Sequence, residues 1–190
     1  VLIILEGPDG AGKTTFAQRI VTHLAATFTR GTITMKKAGP PTRSPRSEYI
    51  VPLLDYIPGD DHHVICDRWH LGEWIYPRVK GRPTEMDRDT FDEIEQFLLS
   101  RGAVTVIINP PVETLQRRVF TRGDDYVRVG ELPMLHEAYS IAQIPQMPTL
   151  RYSLTEPGDE LARIVVNAAR HAAMRATLLR TGDDQLSWRL

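Results

Sequence analysis

The chain has 190 residues, 42% of them apolar and 25% charged, with a formal charge of −1 and a pI of about 6.7. A chain of this size buries about 70% of the surface it exposes when unfolded, so a disordered chain, a collagen and a disulfide scaffold are excluded on composition. Near neutrality leaves no overall field that would draw nucleic acid or a membrane surface nonspecifically.

The elements are expected in the following order. Residues 1–5, an apolar run rich in β-branched side chains, lead straight into glycines and predict a strand buried on both faces. This run is too short, and lacks the basic start, for a secretion signal. Residues 13–27 predict a helix with Phe16, Ile20, Val21 and Leu24 on one stripe. A short strand is expected over 31–35, turn chemistry over 38–45, and a helix disturbed by Pro52 over 46–57. Residues 62–66 predict a third strand ending in Asp67-Arg68-Trp69. Residues 81–86 predict a loop, and 87–100 a helix closed at Gly102. A buried strand over 103–108 is stopped by Asn109-Pro110-Pro111, and a helix over 112–121 starts just after the prolines. A polar loop at 123–125, a helix over 131–142, a fifth strand over 150–154 and a long helix over 159–179 complete the pattern. Strands alternating with helices imply a parallel sheet covered on both faces, an α/β fold. One domain is expected over 1–180 with a tail over 181–190. Cys66 is the only cysteine, which fits a reducing, cytoplasmic setting, and no apolar run approaches the ~18 residues that span a membrane.

The sharpest signal is Gly7-Pro8-Asp9-Gly10-Ala11-Gly12-Lys13-Thr14, which matches G-x-x-x-x-G-K-[ST] between a strand and a helix. Glycines let such a loop turn successive N–H groups inward onto phosphate oxygens, and the following helix adds its positive end. Lys13 is then placed to reach the β- and γ-phosphates, and the Thr14 hydroxyl to help hold Mg²⁺.

Asp67 stands at the carboxyl end of a buried strand, the edge where open parallel sheets bind ligands. It is placed to reach the metal, directly or through water, and Arg68 beside it can fork onto a phosphate. Without a phosphate loop in the chain, the two would read as an ordinary surface ion pair. Further on, Arg118 and Arg122 lie four apart, on one helix face, while Arg117 is turned about 100° away. This arginine segment, with the Gly-Asp-Asp stretch behind it, reads as a small lid over about 117–130. Arginines closing over a moving phosphoryl group stabilise its charge, and a lid excludes water.

On these residues the chain resembles a thymidylate kinase-type nucleoside monophosphate kinase. The matching pieces are LEGPDGAGKTT, CDRW with Tyr76 nine residues after Asp67, and VIINPPVETLQRR running into TRGDD. The resemblance implies a P-loop NTPase three-layer sandwich: a five-stranded parallel sheet flanked by helices, with an arginine-bearing lid. It implies ATP as donor, Mg²⁺ as cofactor, a deoxynucleotide acceptor and a homodimer. ATP would be held by Gly7, Asp9, Gly10, Ala11, Gly12, Lys13, Thr14 and Thr15 with Arg117 beside them, and the metal by Thr14 and Asp67. Asp9, Arg68, Glu73 and Tyr76 would meet the acceptor: Arg68 its phosphate, Tyr76 its sugar or base, and Asp9 its sugar or the arginine that orients its phosphate. Gly10 occupies the loop position where some members carry the transfer-assisting arginine, so Arg118 and Arg122 are the expected source, with Arg117 as the alternative. The residues over 37–41 (KAGPP) match the family's acceptor loop poorly, residues 76–83 replace more regular helical sequence, and His70 and Trp74 are unusual. Glu73 stands where an amide or small polar residue is expected, and an ionised carboxylate there would repel the carbonyls of thymine.

The leading expectation is therefore ATP-dependent phosphorylation of a deoxynucleoside 5′-monophosphate, which needs no general base. The first alternative is phosphorylation of a hydroxyl, on a deoxynucleoside or a modified base in DNA. Asp67 would then accept the proton, and Arg43, Arg46, Arg78, Lys80 and Arg82 could form a basic groove. The second alternative is a non-catalytic nucleotide switch, although no N-K-x-D motif for reading guanine is present.

Overall fold

The computed structural model describes residues 1–28, 30–123, 127–142, 146–155 and 158–181. Strand β1 (Leu2–Glu6) is buried at all five positions, so it can only lie inside a sheet. It pairs in parallel with β3 (His62–Asp67) on one side and β4 (Ala103–Ile108) on the other. The edges are β2 (Thr32–Lys37), beside β3, and β5 (Thr149–Tyr152), beside β4. The result is one five-stranded parallel sheet in the order β2-β3-β1-β4-β5.

Seven helices flank it among the described residues: α1 (Lys13–Thr27), α2 (Pro45–Tyr49), α3 (His70–Lys80), α4 (Arg88–Ser100), α5 (Val112–Arg122), α6 (Leu132–Ile141) and α7 (Asp159–Thr181). Helices α1 and α7 pack against each other, and α3 and α5 pack on α6. Phe16, Ile20 and Leu24 of α1, Phe91, Ile94 and Leu98 of α4, and Val165 of α7 join the apolar strands in one core. The α/β architecture expected from the sequence is the one observed. Among the described residues, no helix is long and apolar enough to cross a membrane.

Four local expectations are corrected. Residues 46–57 are not one helix: α2 ends at Tyr49, and Val51–Leu53 form a 3-10 turn, because Pro52 has no N–H to extend an α-helix. Strand β2 runs on to Lys37, because all six residues stay in register with β3 through Asp67. Strand β5 stops at Tyr152, where pairing with β4 runs out at Ile108. Helix α3 was not expected at all. It carries Pro77 inside and closes on Gly81, whose backbone adopts φ +62 while its N–H donates to Pro77 O. The Gly-Asp-Asp portion of the expected lid (residues 124 and 125) and tail residues 182–190 lie outside the described residues.

Candidate active site

The site is built where β1 gives way to α1. Gly7 (φ +144) passes so close to the end of β4 that a Cβ atom there would sit 2.1 Å from Ile108 O. Gly12, also left-handed at φ +92, opens α1, and the first turn of that helix holds no acidic residue. The helix end therefore keeps its positive field, directed at the loop. Lys13 is buried behind the loop, with Nζ donating to Gly7 O (2.7 Å) and Pro8 O (2.8 Å). Burial lowers its pKa to about 8, against the pull of the Asp67 and Glu6 carboxylates.

At the end of β3, Asp67 is buried. Its Oδ2 accepts from Thr14 Oγ1 at 2.5 Å, while Oδ1 is buried with no hydrogen-bond partner. An orphan carboxylate oxygen beside a hydroxyl is a donor set for a hard cation. No cluster of three or more His, Cys, Asp or Glu exists among the described residues. Magnesium fits such a pair, because it keeps several waters and takes substrate phosphates for its other positions.

These residues line a cleft of about 440 Å³. Asp9, Gly10, Ala11, Gly12, Thr14 and Thr15 are among its walls, whereas Gly7, expected to hold ATP, does not line it and instead accepts from Lys13 through its carbonyl. Arg118 reaches in from α5, donating to Gly10 O (3.1 Å), Ala11 O (3.4 Å) and Thr155 O (2.5 Å). Arg122, one helical turn further on, lines the same cleft. Arg117 is not brought there: one residue out of phase, it lies on the exposed side of α5.

A second, narrower chamber adjoins the first. Gly39, Pro40, Trp69, Glu73, Tyr76 and Arg82 are among its walls, so the poorly matching 37–41 stretch does sit at the site. Arg68 lines both chambers. Its guanidinium forms a pair with the buried Asp9 carboxylate, through one bond to Oδ1 and another to Oδ2 (3.3 Å). Tyr76 donates its hydroxyl to the same Oδ2 (2.7 Å) and accepts from the Asp9 backbone N–H (3.1 Å). Deeper in, Glu73 is buried and doubly bonded by Arg82, with Thr84 donating to Oε1 at 2.5 Å. Arg82 thus supplies the countercharge to this buried carboxylate.

Thr84 was not singled out in the sequence, Arg82 was named only for a possible DNA groove and Lys37 only as the start of the 37–41 stretch, and Glu6, a charge ending an apolar strand just before the first glycine, was not named at all. That last position was a readable signal; Arg82 and Thr84 depend on how the chain folds back after α3, and Lys37 on β2 running on beside β3 to Asp67. The five basic residues considered for a groove mostly serve the protein itself. Arg46 pairs with Glu93, Lys80 with Glu131 and Arg82 with Glu73, and Arg78 stacks 3.5 Å over the Trp74 ring.

No family model matches the chain. A guanylate kinase of Ehrlichia ruminantium (strain Gardel) is 26% identical over 172 residues, covering 80% of this chain and 76% of the relative. Among solved structures, the YorR protein of Bacillus subtilis, in complex with phosphorylated GDP, matches 88% of this chain and 94% of its own. The TM-score is 0.68 at 18% identity. Deoxyadenosine kinase from M. mycoides with bound dATP matches 88% of this chain and 98% of its own, with a TM-score of 0.55 at 15% identity. The chain therefore has the fold seen in nucleotide kinases, and its likeness is not to thymidylate kinases in particular.

Proposed function

We propose that the protein transfers the γ-phosphoryl group of ATP to a deoxynucleoside 5′-monophosphate, releasing ADP and a nucleoside diphosphate. The observation that carries this reading is Arg68, which lines both chambers with its guanidinium held by the Asp9 carboxylate. A cation at that point suits two phosphates that must meet there. In the reaction, an acceptor phosphate oxygen attacks the γ-phosphorus and the bond to the β-γ bridging oxygen breaks. No proton has to be removed, so positioning and charge neutralisation supply the catalysis.

Backbone N–H groups of the glycine loop and the Lys13 ammonium would hold the triphosphate. Arg118 and Arg122 would close on the group in flight, and Arg68 would fix the acceptor. Mg²⁺ held by Asp67 and Thr14 would neutralise charge on the β- and γ-phosphates. A hydroxyl acceptor would need a base, and Asp67, the candidate for that role, is assigned in this reading to Mg²⁺ together with Thr14. The guanylate kinase relative also favours a monophosphate acceptor.

In the second chamber, Glu73 and Arg82 offer a base edge an acceptor beside a donor. The deciding assay follows ADP release with Mg²⁺, ATP and each nucleoside monophosphate, each nucleoside and hydroxymethylated DNA. Turnover with monophosphates alone is expected. Turnover with nucleosides or DNA alone would move the acceptor to a hydroxyl. ATP binding without any turnover would leave a switch.

A further inference from the structure

We infer that Glu6 is a positioning residue, whose carboxylate holds the turn that presents the Arg68 guanidinium to the neck between the chambers. The inference rests on the acceptor role proposed for Arg68.

Arg68 is the only non-glycine residue with positive φ among the described residues, at +70. A side chain in the left-handed region is disfavoured by contact between its Cβ and the backbone, and such strain persists only where the surroundings fix it. The ties on both sides of Arg68 are visible. Its own N–H donates to Leu5 O at 2.9 Å, extending the β1–β3 pairing by one residue. The chain then leaves the sheet. The next free N–H groups, Trp69 at 2.9 Å and Leu71 at 3.1 Å, both donate to Glu6 Oε1. Consecutive residues of β1, Leu5 and Glu6, thus hold the turn before and after its strained residue.

The same bonds serve α3. The residue that begins this helix, Trp69, makes no side-chain capping bond of its own. A carboxylate from another strand supplies the cap, satisfying two of the donors that a helix start leaves open. Glu6 is fully buried and lines neither chamber. It does not touch substrate in this arrangement; it acts through Arg68.

The test is a double-substitution cycle on the whole chain, with Glu6→Ala, Arg68→Ala and the pair, measured as kcat/KM for the best acceptor and KM for ATP. Glu6→Ala is expected to lower acceptor kcat/KM at least tenfold with ATP KM held within about threefold, and to add less than threefold once Arg68 is alanine. Glu6→Gln, whose amide oxygen can still accept from both N–H groups, is expected to recover most of the loss, and it carries the test should the alanine variant fail to fold. In a crystal structure of the glutamine or alanine variant, Arg68 is expected to keep φ near +70 with glutamine and to leave Asp9 with alanine.

Losses that simply multiply in the double variant would overturn the positioning role while leaving the acceptor role of Arg68 intact. So would equal weakening of ATP and acceptor, or an alanine variant whose Arg68 stays on Asp9. Unchanged acceptor kinetics in Arg68→Ala alone would instead remove the phosphate-binding role, and this inference with it.

Discussion

Arg68 and Asp9, 59 residues apart in sequence, close a guanidinium–carboxylate pair where the two chambers meet. The pair orients Arg68 without cancelling its use, because a guanidinium has five N–H donors and the two bonds to Asp9 leave others for an incoming phosphate. Replacing Arg68 by alanine is expected to lower kcat/KM for the acceptor roughly 10²-fold, the scale of losing one charged contact to a transferring phosphoryl system. Arg68→Lys should restore only part of this, since a point charge cannot hold Asp9 and a phosphate in the same fork. Steady-state kinetics with the acceptor varied at saturating ATP check both. Full activity in either variant would refute the role.

Asp67 carries a different burden. Its orphan Oδ1 and the Thr14 hydroxyl at Oδ2 are the grounds on which it is proposed to face the metal. Asp67→Asn is expected to cut Mg²⁺-dependent turnover by about 10²-fold or more, while ATP binding measured without metal stays within a few-fold. The turnover that remains should need more Mg²⁺ to saturate. A variant with unchanged Mg²⁺ dependence would remove Asp67 from the metal site.

The sheet and the phosphate loop were legible because each depends on neighbours in sequence. Residues 1–5 are a continuous apolar run, and 64–66 and 103–108 are short, largely apolar, β-branched segments followed by turn or polar residues, the pattern of strands buried on both faces. The loop's spacing is set by backbone geometry that only its glycines permit. The second chamber was legible only in part: Arg68, Glu73 and Tyr76 were named for the acceptor through the resemblance, but helix α3 that carries Glu73 and Tyr76 was not expected. Helix α3 contains Gly72 and Pro77 and ends on Gly81, three local breaker signals that packing on α6 overrides. Only once that helix forms does Arg82 fold back onto Glu73. Likewise, periodicity put Arg118 and Arg122 on one face and Arg117 off it, but not which face met the loop.

That rotation of α5 makes a sharp contrast. Arg118 bonds Gly10 O and Thr155 O, and Arg122 lines the same cleft, while Arg117 lines neither chamber. Arg118→Ala and Arg122→Ala are each expected to lower kcat by roughly tenfold or more, and Arg117→Ala to stay within twofold. Single-turnover rates with pre-bound ATP separate this from weaker binding. The reverse order would show that α5 turns when nucleotide binds.

Lys13 gives the site a pH dependence of known sign. Burial lowers its pKa from 10.5 to about 8. Between those values the unfolded chain holds a proton that the folded chain has released, so this group makes the ligand-free protein more stable as pH rises through that window. ATP works the other way. Its phosphates favour the ammonium, so binding above pH 8 takes up a proton and affinity should fall by up to about tenfold per pH unit. Calorimetry at several pH values, in buffers of different ionisation enthalpy, reads both the proton and the slope. Lys13→Met should abolish the slope and weaken ATP binding sharply; a variant that binds ATP as before would count against the loop as the triphosphate holder.

Gly7 tests whether the loop's course is enforced by the sheet. A methyl group there would meet Ile108 O at 2.1 Å, and the backbone angle of +144° is one that side chains rarely adopt. Either the loop or the end of β4 must shift, so Gly7→Ala is expected to cost on the order of 3 kcal/mol of stability. Gly130→Ala is the control, since nothing lies within 4 Å of its added carbon and its backbone needs no positive φ. It should change stability by less than about 0.5 kcal/mol. Urea midpoints with unchanged slopes would measure the two on one scale. Equal midpoints would mean that the loop can move off β4 at little cost, and the phosphate cradle would then be less rigid than its close approach to Ile108 implies.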